Sequence, residues 1–292
     1  MKQLLILSGK GGTGKTTIAS AFIKLHDAQV YADCDVDAPN LHLIMGLETE
    51  ADKSDYYGLQ VGNINTENCV NCNICRQECR FDAISVYEDQ TYKVNTFACE
   101  GCGVCEYVCP VDAVTMVDDI AGELMLYKEV GRVFSTAQLK MGRGTSGLLV
   151  TEVKRQMKGS AYDMNKDPKL AVIDGSPGIG CPVIASITGV DMVLVVAEPS
   201  VSGISDMERV LETATKLGVN TGVCINKFDS NIKKTEEIEK FCKDRSIDYL
   251  GRIPFDSEAV KAVNNGITIV DIDCSSGRAV KSVYEQTIDL LY

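Results

Sequence analysis

The feature that most constrains this chain lies at its start. Gln3–Leu7 is a short apolar run that leads directly into Ser8-Gly9-Lys10-Gly11-Gly12-Thr13-Gly14-Lys15-Thr16-Thr17, and beyond it Ile18, Ala21, Phe22 and Leu25 recur at helical spacing. A strand, a glycine loop and a helix in that order leave few options. The strand is buried, the helix packs back on it, and the helix N-terminus faces whatever the loop holds. Gly9 to Thr16 also fits G-x-x-x-x-G-K-[ST], in the strand-to-helix context that the pattern requires. Glycines there let backbone N–H groups approach phosphate oxygens, and the helix dipole favours the anion. Gly9, Lys10, Gly11, Gly12, Thr13, Gly14, Lys15, Thr16 and Thr17 are therefore expected to cradle a nucleotide's phosphates, with Lys15 at the β and γ groups and Thr16 a ligand of Mg²⁺.

Further strands are predicted over Gln29–Ala32, ending in Asp33-Cys34-Asp35-Val36-Asp37, and over Leu170–Ile173, ending at Asp174. Others follow at Met192–Ala197, before Glu198-Pro199; at Gly222–Ile225, before Asn226-Lys227; and at Tyr249–Ile253, before Pro254. Helical patterns cover Ile204–Leu217, Glu236–Cys242 and Arg278–Leu291. Strands alternating with helices predict an α/β fold with a doubly wound, mostly parallel sheet. The polar residues stand at the carboxyl ends of strands, where such sheets bind ligands. His26 and His42 read as structural histidines with their hydrogen bonds satisfied.

Between about Gly58 and Val117 the character changes to short, turn-rich and cysteine-rich. An internal repeat runs through it: Cys69, Cys72, Cys75 and Cys79 recur as Cys99, Cys102, Cys105 and Cys109, and Phe81-Asp82-Ala83-Ile84 recurs as Val111-Asp112-Ala113-Val114. Cys-x2-Cys-x2-Cys-x3-Cys is the bacterial ferredoxin signature, in which three cysteines of one loop hold one [4Fe–4S] cluster and the fourth ligates the other. Cluster one is assigned to Cys69, Cys72, Cys75 and Cys109, and cluster two to Cys99, Cys102, Cys105 and Cys79. Two zinc sites are the alternative, and clusters that merely staple a small domain without a core are another. The first motif departs from the pattern by ending Cys79-Arg80 and not Cys-Pro; a cation there would raise that cluster's potential. The expected division is a nucleotide domain from 1–57 and 121–292, with an inserted α+β ferredoxin-like domain at 58–120.

Lys10 is a second lysine inside the phosphate loop, and with it the sequence resembles the deviant Walker A superfamily of MinD, ParA, Mrp and the nitrogenase iron protein. The resemblance extends over the whole chain, the inserted ferredoxin included. It implies an ATPase whose ATP closes a homodimer, or a heterodimer with a paralogue, and in which Lys10 reaches the partner's nucleotide. It also implies that Asp33-Cys34-Asp35-Val36-Asp37-Ala38-Pro39-Asn40-Leu41 is a first switch, with Asp35 at the attacking water and Asp33 near Mg²⁺. Asp174-Gly175-Ser176-Pro177-Gly178 then looks like a second switch, with Asp174 in the Mg²⁺ water shell. Lys10, Lys15 and Asp35 are the implied catalytic set. Asn226-Lys227-Phe228-Asp229 matches the N-K-x-D pattern that reads guanine, but an Asn at this place in the superfamily contacts adenine; with Pro254 and Phe255 it implies an ATP base pocket. Cys181 follows the second switch and reads either as a ligand bridging a dimer or as a plain loop residue; no second cysteine for a bridge occurs in Gly131–Gly147.

A net charge of −12 repels phosphate backbones, so nucleic acid is not an expected partner. No run approaches the ~20 apolar residues of a membrane span, and the polar face of Arg278–Leu291 is mixed in charge, so no stable membrane anchor is expected. The expectation is a cytoplasmic protein in which ATP-dependent dimer closure gates electron transfer from two clusters to a redox partner. Two alternatives are a carrier that delivers metal clusters to an acceptor protein, and a MinD-like redox-sensing switch.

Overall fold

The computed structural model describes residues 1–47, 49–164 and 167–292. In chain order its elements are β1 (Lys2–Leu7), α1 (Lys15–His26), β2 (Val30–Asp33), α2 (Leu41–Met45), β3 (Asp52–Tyr57), β4 (Val61–Ile64), α3 (Ile74–Gln77), β5 (Ile84–Val86), β6 (Tyr92–Val94), α4 (Val104–Tyr107), β7 (Val114–Val117), β8 (Ile120–Glu129) and β9 (Arg132–Leu139). They continue with α5 (Ser146–Tyr162), β10 (Leu170–Asp174), α6 (Cys181–Ile187), β11 (Met192–Ala197), α7 (Val201–Lys216), β12 (Asn220–Asn226), a 3₁₀ turn (Phe228–Ser230), α8 (Ile232–Asp244), β13 (Asp248–Ile253), α9 (Ser257–Asn264) and α10 (Ser275–Leu291). The chain forms two compact units. Unit 1 comprises Met1–Lys53, Leu124–Gln138 and Gly147–Tyr292; unit 2 comprises Ser54–Glu123 and Leu139–Ser146.

Unit 1 is built on the strand order β13-β12-β11-β1-β10-β2-β9. The pairs β12–β13, β11–β12, β1–β11, β1–β10, β10–β2 and β2–β9 are all parallel. Parallel strands are covered on both faces, and β10 and β11 are accordingly apolar and buried throughout apart from the terminal Asp174. Register places the functional strand ends side by side: Asp174 pairs with Ile6 of β1 on one side and with Asp33 of β2 on the other. One core cluster joins β1, β10 and β11 to α1 and α10, including Leu4, Ile6, Phe22, Val172, Leu194 and Val280. Tyr284 of α10 meets Phe22 edge-on at 5.3 Å between ring centres and bonds His26 Nδ1 at 2.8 Å. His26 is thus satisfied as expected, whereas His42 Nδ1 is buried without a partner among the described residues.

Caps set the helix starts where apolar spacing alone misplaces them. Ser200 Oγ accepts from Gly203 N at 3.0 Å and Asn231 Oδ1 from Lys234 N at 3.2 Å, so α7 and α8 begin earlier than their apolar stripes. The strand β8 carries no clear alternation, because its apolar residues are interleaved with Gly, Glu and Lys, whereas α5 buries Leu149, Val153, Met157 and Ala161 at helical spacing.

Unit 2 contains two antiparallel pairs, β4–β7 and β5–β6. Each cysteine loop enters a single helical turn, α3 or α4, through a left-handed residue: Asn73 at φ 63° and Gly103 at φ 74°. The halves exchange backbone bonds, Asn65 N to Ala113 O at 2.8 Å and Asn95 N to Ala83 O at 2.7 Å. A later stretch of chain, Leu139–Ser146, belongs to this unit as well. Its Arg143 pairs with Asp119 at 3.0 Å and donates to the Thr96 carbonyl.

Candidate functional sites

The loop between β1 and α1 borders a solvent-open cleft lined by Gly11 to Ile18, Asp35, Pro177, Asn226, Lys227, Pro254 and Phe255, among others. Gly12 and Gly14 adopt φ +77° and +88°. A Cβ on Gly14 would stand 2.3 Å from Asn226 Nδ2, so glycine is required there. Gly9 does not line the cleft; it packs on α7, where a Cβ would meet Asp206.

Under the loop lies a buried charge cluster. Lys15 Nζ forms a very short ion pair with Asp174, and both side chains are buried. Burial alone pushes the Lys15 ammonium down, but Asp174, Asp33 and Asp35 outweigh it, and its pKa ends above the ordinary lysine value. Burial, reinforced by Asp174, pushes the Asp33 carboxyl up to about 7. Its oxygens accept from the backbone N–H groups of Asp35, Asn40 and Leu41 at 2.9, 3.0 and 3.0 Å, which folds the segment after β2 back over the strand end. Burial raises the Asp35 carboxyl too. Asp174 Oδ2 and Thr13 Oγ1 are buried with no hydrogen-bond partner among the described residues. An orphaned carboxylate oxygen beside Thr16 and Asp33 fits Mg²⁺, which keeps most of its waters and takes few protein ligands. Among the described residues no three His, Cys, Asp or Glu side chains converge on a bare ion.

Two residues stand differently from expectation. Lys10 lies outside the cleft lining and pairs with Glu198 Oε2 at 2.5 Å and with Ser200 Oγ at 3.2 Å. Asn226 lines the cleft, but its Nδ2 is engaged by Thr13 O at 2.6 Å and its Oδ1 by Lys227 N at 3.0 Å, so the amide fastens the phosphate loop. Asp229, which a guanine-reading motif needs free, instead accepts from Phe255 N at 2.8 Å and shapes the Pro254-Phe255 wall. Glu198 is the functional residue that sequence reasoning left without a role: it gathers Lys10 and, at 3.8 Å, Lys227. Its only sequence signal is its place at the carboxyl end of β11. Lys154 was also missed. Its Nζ donates to the carbonyls of Ala185, Ser186 and Thr188, anchoring the end of α6, and burial lowers its pKa to about 8.

In unit 2, Cys69, Cys72, Cys75 and Cys109 line one small cavity. Cys79, Cys99, Cys102 and Cys105 line a second. Each fourth cysteine therefore stands with the other loop's three. Ala83 N donates to Cys79 Sγ at 3.4 Å and Ala113 N to Cys109 Sγ at 3.2 Å, bonds suited to thiolates. All eight are free thiols. Of the rest, Cys34, Cys224, Cys242 and Cys274 are buried, and Cys181 is exposed at the first residue of α6.

Comparison with known proteins follows the same lines. An uncharacterized protein of Methanocaldococcus jannaschii is 32% identical over 97% of this chain and 95% of its own length. The iron-sulfur cluster carrier protein of the same organism is 25% identical over 40% of this chain and 45% of its own. The septum site-determining protein MinD of Pyrococcus horikoshii, solved with Mg-ADP, superposes with a TM-score of 0.58 at 18% identity over 99% of this chain and 96% of that one, a likeness of fold. The model of the CobQ/CobB/MinD/ParA nucleotide binding domain matches residues 4–269. The chain belongs to that family, and it is a P-loop ATPase.

Proposed function

We propose that the protein is an ATP-driven switch that releases electrons from two [4Fe–4S] clusters to a partner protein. The observation that carries the reading is the cross-paired lining of the two cavities: Cys69, Cys72, Cys75 with Cys109, and Cys99, Cys102, Cys105 with Cys79. In a pair of such cubes each cluster takes three cysteines of one loop and the fourth of the other, which is the grouping of these two linings. Clusters held there supply one-electron storage. In this reading the insert of 58–120 is a ferredoxin-like domain, completed by Leu139–Ser146.

At the nucleotide, Lys15 leaves Asp174 for the β and γ phosphates, and the freed carboxylate, with Thr16 and Asp33, accepts the Mg²⁺ shell. Asp35 orients the attacking water. Lys10 leaves Glu198 to reach the nucleotide of a second copy, so that ATP closes a dimer and hydrolysis reopens it. Asn226 holds the loop for this exchange, and Pro254, Phe255 and Lys227 border the adenine. The matching family model is that of a nucleotide binding domain, and a switch sharing one chain with an electron store motivates the coupling.

Delivery of clusters to an apo-acceptor is the second reading, favoured by the partial match to the iron-sulfur cluster carrier protein. Iron and acid-labile sulfide are counted in the anaerobically purified chain before and after incubation with an apo-ferredoxin and ATP. About eight irons retained on the chain supports the electron store; loss of iron to the acceptor supports delivery; no sulfide contradicts both.

A further inference from the structure

The two cysteine cavities are related by the internal repeat, so features common to both halves act equally on both. The Ala83 and Ala113 N–H bonds to Cys79 and Cys109 are such a pair. The halves differ at many positions, Arg76 against Glu106 and Arg80 against Pro110 among them, and three differences that change a polar group lie between the first and third cysteines of a loop. Asn71 and Asn73 of the first loop correspond to Gly101 and Gly103 of the second, and Val70 corresponds to Glu100. Asn73 lines the Cys69 cavity with its Oδ1 buried and, among the described residues, unpartnered, and the Cys69 thiol faces Asn71 Oδ1 at 3.6 Å. A carbonyl oxygen facing that sulfur is the wrong end of the amide once the thiol is a thiolate. A half-turn about the last side-chain bond exchanges Oδ1 for Nδ2 and gives each thiolate-lined wall an N–H donor. On the other side, Glu100 lines the Cys99 cavity with a carboxylate.

We propose that the two cluster sites are electronically unequal. Asn71 and Asn73 raise the reduction potential of the site formed by Cys69, Cys72, Cys75 and Cys109, and Glu100 lowers that of the site formed by Cys99, Cys102, Cys105 and Cys79. N–H donors to cluster sulfur stabilise the added negative charge, and a nearby carboxylate opposes it. The first electron therefore rests on the Cys69 site, and the second enters the Cys99 site at a lower potential. Arg80 follows Cys79 and pulls the opposite way, but it lines neither cavity, whereas Glu100 and Asn73 each line one and Asn71 stands against Cys69 Sγ. This rests on the [4Fe–4S] reading above.

The test uses the repeat itself. Asn71 and Asn73 already sit at φ 58° and 63°, and Gly101 and Gly103 at 66° and 74°, so glycine accepts the first loop's backbone. The full chain, purified anaerobically, is assayed for iron and acid-labile sulfide and then poised at a series of potentials with EPR detection. Two resolved midpoints are expected in the wild type. In N71G/N73G the higher one moves down and the lower one stays; in E100V the lower one moves up and the higher one stays. One shared midpoint, or variants that move both midpoints equally or move the opposite one, would overturn the proposal. Intact sulfide with those results refutes this inference alone, whereas a chain lacking acid-labile sulfide refutes the reading beneath it as well.

Discussion

The two units are held together by different chemistry. Unit 1 has a continuous apolar core in which Leu4, Ile6, Phe22, Val172, Leu194 and many others are fully buried. Each such side chain contributes about 1.5–3 kcal/mol on burial. The core of unit 2 is Cys75, Ile84, Tyr92 and Val114, and what packs around it is largely Cys69, Cys79, Cys105 and Cys109 with Ile64, Val86 and Val94. Five of these eleven residues are cysteines, which in the proposed reading are cluster ligands. A sheet that folds on apolar burial can afford mobile polar strand ends; a cysteine shell without its metal cannot replace a core. The functional consequence is that nucleotide chemistry should survive loss of the clusters, whereas the electron store should not survive loss of its own ligands.

The strongest way to break this comparison is to remove the metal. After chelation under denaturant-free conditions, hydrogen exchange should show the amides of β4, β5, β6 and β7 approaching unprotected rates, while those of β1, β10 and β11 stay protected. Equal loss in both units would contradict the contrast. Within unit 2, Cys109→Ala should remove roughly half of the iron and leave the second site's EPR signal, because Cys109 stands with the first loop's three cysteines; loss of the second signal instead would reverse the pairing.

The remaining tests sharpen the unit 1 side. Lys15→Ala should reduce ATP hydrolysis by at least ~10²-fold, the scale of losing one transition-state charge contact, with the unit 2 visible spectrum unchanged. Asp33 gives a pH signature. Its carboxyl is raised from 3.8 to about 7, so the folded chain holds that proton in a window where the unfolded chain has released it. Stability of the nucleotide-free chain is therefore greatest below the lower value and falls as pH rises towards 7, by about 1 kcal/mol per pH unit. Thermal melts between pH 6 and 7 should show this fall, and Asp33→Asn should flatten it. The smallest effect is at Glu198. Its bond to Lys10 is partly exposed, and such pairs contribute about 0–1 kcal/mol, so Glu198→Gln should lower the ATP concentration for half-dimerisation only a few-fold, read by light scattering.

Much of unit 1 was legible because strand–loop–helix spacing and strand-end polar residues are local signals. Gly11 to Thr17, Asp33 and Asp174 stand out that way, and the parallel register brings the two aspartates together. What was not legible depends on where side chains point after folding. Nothing in Asn226-Lys227-Phe228-Asp229 says that Asn226 is turned to Thr13 O or that Asp229 is turned to Phe255 N. Lys10 likewise shows its cis partner only when the β11 end is placed beside the loop. The cysteine repeat was visible at once, yet the return of Leu139–Ser146 to unit 2 was not, because Arg143 reaches Asp119 and Thr96 across a long sequence separation.

The central claim is that nucleotide state controls electron release. The direct measurement is stopped-flow oxidation of the dithionite-reduced full chain by a one-electron acceptor, with MgATP, with MgADP and with neither. A coupling of 1–3 kcal/mol corresponds to a change of roughly 5–150-fold, and the account predicts a rate with MgATP that differs from the other two by at least that lower figure. Equal rates in all three conditions, with both clusters intact, would contradict it.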